Sequence, residues 1–169
     1  KSGKVVWMFR TLGGLLGERK YDFADYFYST PVLNNDRLYF GAGDGRVYCV
    51  DPAQGKLVWS YQTTDIVHTT PAFSDDKVFV GSFDGNIYAL NTTDGSLVWK
   101  FKAVGHRYFP KGEMMGSPVV TKGLVIIGSR DYRNSKAKYI FQIFIRSLRE
   151  NSVFLYTHSV VTHIIYGIA

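Results

Sequence analysis

Residues 30–62 read TPVLNNDRLYFGAGDGRVYCVDPAQGKLVWSYQ, and residues 70–102 read TPAFSDDKVFVGSFDGNIYALNTTDGSLVWKFK. Laid on each other without a gap, the two stretches agree at 11 of 33 positions. The shared residues include Pro31/Pro71, Gly41/Gly81, Asp44/Asp84, Gly45/Gly85, Tyr48/Tyr88, Gly55/Gly95 and Trp59/Trp99. Most other positions swap like for like, as Leu38/Val78 and Val47/Ile87 do. A period of 40 residues with this much turn chemistry marks a repeating unit of short strands.

Each unit is predicted to hold four strands. The first has Thr30–Leu33, Arg37–Gly41, Arg46–Asp51 and Leu57–Tyr61, and the second has Thr70–Phe73, Lys77–Gly81, Asn86–Asn91 and Leu97–Phe101. Asp44-Gly45 and Asp84-Gly85 suit tight hairpins, because Gly accepts a positive φ and Asp bonds its own backbone. Pro31 and Pro71 fall where strands begin, so their missing N–H costs little. The predicted fold class is all-β: an incomplete β-propeller of four-stranded antiparallel blades, two whole and two in part.

The flanks supply the partial blades. Residues 3–9, GKVVWMF, repeat the pattern of residues 55–61 and read as a closing strand. Residues 116–134 open a further blade, with Ser117-Pro118 in the place of Thr30-Pro31 and Tyr139–Ile143 as a candidate third strand. The predicted domain is thus residues 1–134, with blades at 29–62 and 69–102. Residues 135–169 form a divergent tail in which helical and alternating spacings fit equally well.

The spacing Ala-x-Asp-x-x-x-Gly-x-x-x-Trp appears as Cys49, Asp51, Gly55 and Trp59, and again as Ala89, Asn91, Gly95 and Trp99. It resembles the repeat of the pyrroloquinoline-quinone-type β-propeller family. That family includes quinoprotein alcohol and sugar dehydrogenases, and also cofactor-free members such as the lipoprotein that helps assemble outer-membrane barrels. The resemblance implies that Trp7, Trp59 and Trp99 dock on neighbouring blades and cover glycines such as Gly55 and Gly95. It also suggests a periplasmic or extracellular setting. At four to eight blades per ring, the units here are too few to close one, so a longer protein, association of chains through open blade edges, or cover by the tail is expected.

Candidate chemistry is sparse. The single cysteine, Cys49, sits mid-strand and reads as a buried thiol. His68, His106, His158 and His163 lack metal-ligand spacing and read as surface or loop residues. The aspartates fall in or beside turns, and Asn91-Thr92-Thr93 is a glycosylation sequon in a turn. The glycines at 41, 43 and 45 join two strands and read as a turn, not a phosphate loop.

The net charge of +6 comes mostly from residues 116–169, which carry seven basic and two acidic groups. The repeats are near neutral, so no nucleic-acid partner is expected. No apolar run is long enough to span a membrane. The links between blades are the expected functional surface, with Arg19, Lys20, Tyr21, His106, Arg107, Tyr108, Phe109 and Lys111 facing a protein or other macromolecule, or with the aromatics folding back to cover the blade edges. No catalytic, metal or cofactor-binding residue is assigned, and no cofactor is expected. The alternative is a fragment of a dehydrogenase that uses pyrroloquinoline quinone with calcium, although the adjacent cysteine pair of many such alcohol dehydrogenases is missing.

Overall fold

The structure, a computed structural model, describes residues 3–12, 29–102, 112–129, 142–147 and 153–156, the last two ranges as backbone strands. Among the described residues the sheets are three antiparallel meanders of four strands each. The first blade contains β1 (Val32–Asn34), β2 (Arg37–Gly41), β3 (Arg46–Asp51) and β4 (Lys56–Gln62). The second contains β5 (Ala72–Ser74), β6 (Lys77–Gly81), β7 (Asn86–Asn91) and β8 (Leu97–Lys102). The third contains β9 (Val119–Thr121), β10 (Leu124–Ser129), β11 (Gln142–Ser147) and β12 (Val153–Tyr156).

The first strand of each repeat begins two residues later than its sequence suggests. Pro31 and Pro71 have no N–H to give a ladder. Thr30 N donates instead to Thr70 Oγ1 in the next blade (3.2 Å), and Thr70 N donates to Ser117 Oγ in the blade after that (2.9 Å). The repeat's opening residue thus stitches blade to blade. Within the tail, β11 runs antiparallel to β10 over its whole length, from Leu124↔Ser147 to Ser129↔Gln142. The third strand therefore lies three residues beyond the expected Tyr139–Ile143, and β12 completes the sheet.

Both faces of the middle strands of the first two blades are buried, because the second blade lies between the first and the third and the first also receives the N-terminal segment. Tyr39, Val47, Cys49 and Trp59 from the first blade pack with Val78, Val80, Tyr88 and Leu90 from the second. The opposite face of the second blade, with Phe79, Ile87 and Ala89, packs on Met114, Val125 and Ile127. The opposite face of the first, with Phe40, Tyr48 and Val50, receives Phe9. This explains why β3 and β7 read as continuous apolar runs and not as an alternation.

The blades approach closely at Gly41 and Gly81. A Cβ on Gly41 would overlap Val67 Cγ1 and the Val67 carbonyl oxygen. A Cβ on Gly81 would fall 2.6 Å from Met114 Cβ, in the equivalent place of the next junction. Backbone cannot swing aside as a side-chain tip can. Gly41→Ala is expected to cost about 1–3 kcal/mol through overpacking. A thermal melt followed by circular dichroism should show the midpoint several degrees lower, and an unchanged midpoint would contradict this packing.

Candidate functional site

Three kinds of residue define the junctions between blades. The first is the tryptophan of the outer strand. In both whole blades the pairing shifts register after the small residue, between Cys49 and Val50 and between Ala89 and Leu90. Val58 and Val98 are the residues left over by these bulges. A bulge bends and twists a strand and re-aims the residue beside it. Trp59 is consequently laid over Gly95, whose missing Cβ would stand 2.6 Å from the indole. Trp59 Nε1 donates to the Thr92 carbonyl at 2.9 Å. Trp7 makes the same arrangement one blade earlier, over Gly55 and with its Nε1 donating to the Pro52 carbonyl at 2.8 Å. Trp99 lies half-buried with its ring centre 5.7 Å from that of Phe79.

The motif's acidic position shapes the turn on which the indole sits. Asp51 Oδ1 accepts from Ala53 N at 2.8 Å, and Asn91 Oδ1 accepts from Thr93 N at the same distance. Gly55 N and Gly95 N then bond back to the carbonyls of residues 51 and 91. Asn therefore replaces Asp here without loss of geometry. Gly55 and Gly95 have φ of 65° and 73°, so they serve the turn as well as the close approach.

The second kind is a buried carboxylate paired with a tyrosine four residues on. Tyr88 Oη donates to Asp84 Oδ2 at 2.5 Å, and Tyr48 Oη donates to Asp44 Oδ2. The other carboxylate oxygens accept from Asn86 N at 2.8 Å and Arg46 N at 3.0 Å, fixing the hairpins. Asp84 also accepts from the Thr64 hydroxyl at 2.9 Å, which ties the hairpin of the second blade to the link from the first. Burial pushes the Asp84 carboxyl upward, but the bonds from Tyr88, Asn86 and Thr64 outweigh it and hold the group below the ordinary range. Burial, then the bond to the neighbouring carboxylate, raises Tyr48 and Tyr88 far above a free phenol. These hydroxyls remain protonated donors at neutral pH. The sequence places Asp44 and Asp84 in turns, and the recurrence of Asp-x-x-x-Tyr in both repeats is the signal for the rest.

The third kind is the link. Residues 63–68 are pinned from both sides: Thr63 N donates to the Gly45 carbonyl (2.8 Å), Val67 N to Ala42 (3.1 Å), and Phe83 N to Ile66 (2.9 Å). Ser82 Oγ adds a bond to the Asp65 carbonyl at 3.1 Å. His68 lies in this link, half-buried and edge-on to Phe83 at 5.0 Å. Burial lowers its pKa, with Asp65 opposing. Cys49 is fully buried between the first two blades, and burial raises its thiol, so it is unsuited to nucleophilic work.

The expected partner surface, Arg19, Lys20, Tyr21, His106, Arg107, Tyr108, Phe109 and Lys111, lies outside the described residues, as do His106's fellow histidines His158 and His163. The anchor points of the second link are described. Lys102 Nζ bonds the Asp84 carbonyl before it, and Met114 N bonds the Ser82 carbonyl at 3.1 Å after it. Both ends of that link therefore sit on the hairpin Ser82–Gly85.

A family model described as "Outer membrane protein assembly factor BamB" matches residues 1–137. The chain belongs to this family of pyrroloquinoline-quinone-type propellers. Among solved structures, BamB from Moraxella catarrhalis aligns at 21% identity and a TM-score of 0.59, covering 74% of this chain and 35% of that one. A quinohemoprotein alcohol dehydrogenase from Comamonas testosteroni aligns at 24% identity and a TM-score of 0.65, covering 79% and 21%. The computationally designed Ika4 protein aligns at 18% and 0.59, covering 89% and 80%. These likenesses establish the propeller fold. The chain spans about a third of the Moraxella protein and about a fifth of the dehydrogenase. No curated protein matches it.

The family includes quinone-dependent enzymes, so the residues present bear on that cofactor. Among the described residues, no three His, Cys, Asp or Glu side chains come together as a metal site. The carboxylates of Asp44 and Asp84 are turned into their own hairpins and committed to Tyr and backbone donors. Among the described residues these two carboxylates are thus taken up by their own hairpins. No helix among them is long and apolar enough to cross a membrane.

Proposed function

We propose that this chain is part of a non-catalytic propeller scaffold that binds a protein or another macromolecule through the links between its blades. The observation that carries the reading is the anchoring of the second link. Its two ends are fastened to one rigid hairpin, at Asp84 and Ser82, and the residues between include His106, Arg107, Tyr108, Phe109 and Lys111. Basic and aromatic groups held on a fixed base suit recognition of a macromolecular surface. Family membership and the printed name of the matching model support an extracytoplasmic setting and a protein partner.

Charge reversal tests the surface. In the full-length protein, Arg107→Glu with Lys111→Glu is expected to reduce capture of a purified partner roughly tenfold, as for loss of interface hot spots. The melting midpoint should stay unchanged. Undiminished capture would remove the link from the reading. Adding pyrroloquinoline quinone and calcium should give no dye reduction with alcohols or sugars, and turnover would replace the scaffold with an enzyme.

A further inference from the structure

The turn between β7 and β8 holds the only Asn-x-Ser/Thr sequon in the sequence, Asn91-Thr92-Thr93. The equivalent turn of the first blade reads Asp51-Pro52-Ala53, with neither the amide nor the hydroxyl. The two turns share a geometry, since Asp51 Oδ1 and Asn91 Oδ1 each accept from the backbone N two residues on, at 2.8 Å. What asparagine adds is an Nδ2 that this geometry does not use. Among the described residues that nitrogen has no hydrogen-bond partner, and it is not enclosed. Asn91 is only half-buried, although Ile87–Leu90 before it on the strand are buried.

Thr93 supplies the second requirement of the sequon. It is exposed, and among the described residues its hydroxyl makes no bond. Its neighbours hold the turn instead. Thr92 N and Thr92 Oγ1 both donate to the Asp76 carbonyl, at 2.8 and 3.0 Å, and the Thr92 carbonyl accepts from Trp59 Nε1. Asp94 Oδ1 accepts from Ser96 N at 2.9 Å. The backbone is thus fixed, while Asn91 Nδ2 and the Thr93 hydroxyl stay uncommitted. Successive turns of an antiparallel meander alternate between the two ends of its sheet. The β7–β8 turn therefore lies at the end opposite Ser82–Gly85, the hairpin that fastens both ends of the second link. A bulky, solvated group at Asn91 stands clear of that link.

We propose that Asn91 is a site of N-linked glycosylation, carrying an oligosaccharide at the end of the blade opposite the links. The donor is an oligosaccharide on a polyprenyl pyrophosphate. A bond forms between Asn91 Nδ2 and the sugar C1, and the bond from C1 to the pyrophosphate oxygen breaks. One amide proton is released, and polyprenyl pyrophosphate leaves. Asn91 Oδ1 is untouched, so the turn keeps its bond from Thr93 N and Trp59 keeps its acceptor at Thr92. The inference rests on the proposed function only in taking the setting to be extracytoplasmic.

The full-length protein, secreted from a eukaryotic cell line, should migrate more slowly by one glycan, and peptide mass analysis should place that glycan on Asn91. Peptide N-glycosidase should remove the shift and leave an aspartate at position 91, as the first repeat has at Asp51. Asn91→Asp and Thr93→Ala should each abolish the shift, and Thr93→Ser should keep it. Asn91→Asp retains the turn's acceptor, so its melting midpoint should match that of the deglycosylated wild type and its lost shift cannot be laid to misfolding. An unshifted wild type would overturn the inference, as would a shift that persists in Asn91→Asp. Capture of a purified partner should be equal with and without the glycan, and a glycan that blocks capture would overturn its placement away from the links. Glycan occupancy and the charge-reversal result at Arg107 and Lys111 are read separately, so either can fail while the other stands.

Discussion

Trp59→Ala should lower the unfolding free energy by about 3–5 kcal/mol, the largest loss expected from any single truncation in the first two blades. Trp59 is 7% exposed and lies between two sheets. It touches Tyr39, with ring centres 5.8 Å apart, and caps Gly95. It also fills one acceptor site of the Thr92 carbonyl. Truncation removes the apolar contact, leaves a cavity between blades and takes the nearer of that carbonyl's two donors, leaving the Tyr39 hydroxyl at 3.3 Å. A domain of ordinary stability would retain little of its margin. Gly95→Ala attacks the same contact from below. Its Cβ would meet the indole at 2.6 Å, at a φ of 73°, so a cost of about 2 kcal/mol is expected from overlap and left-handed strain together. The two substitutions should not add. With the indole gone, the alanine has room, and only the backbone strain of about 1 kcal/mol should remain. Urea denaturation of the wild type, both single variants and the double variant measures this coupling. Strict additivity would show that indole and glycine do not touch.

The repeat makes most of the molecule legible in sequence. Two copies of one pattern identify each other's turns, and the Asp-Gly, Pro and Gly-x-x-x-Trp positions then fix strand order between residues 30 and 102. What the pattern does not carry is non-local. The late start of β1 and β5 depends on Thr70 Oγ1 and Ser117 Oγ reaching across from the next blade. The bulges at Val58 and Val98 have no turn residue to announce them, because Val is an ordinary strand residue. β11 shows the limit most clearly. Residues 139–148 carry helical and strand periodicities at once, and the choice belongs to β10, whose free edge offers six consecutive pairings. Propensity is a weak prior against a waiting ladder. The candidate surface is a reading of composition, basic and aromatic residues on long links, and lies outside the described residues; of the second link only the anchors at Lys102 and Met114 are described.

Asp84→Asn is the second large effect, and it should be visible in pH dependence as well as in magnitude. Asp84 is 6% exposed and receives the Tyr88 hydroxyl, the Thr64 hydroxyl and Asn86 N. An amide keeps one oxygen acceptor and presents an N–H to hydroxyls that need acceptors. The expected loss at pH 7 is about 2–3 kcal/mol, as for hydrogen bonds to a charged group. Because the folded pKa is depressed below the ordinary 3.8, the unfolded chain takes up its proton first as acid is added. Asp84 therefore contributes fully above about pH 4, and its contribution drains away as pH falls through the folded value. The asparagine variant lacks this contribution, so its stability should fall less steeply than the wild type's below pH 4. His68 has the same sign in a separate window. Burial lowers its pKa from 6.5, so the unfolded chain protonates first and stability declines below about pH 6.5 in both proteins. Urea midpoints at pH 7.5, 5 and 3 separate the two groups. A wild type and an asparagine variant that lose stability in parallel from pH 5 to 3 would show that the carboxylate at the blade junction does not hold the hairpin to the link.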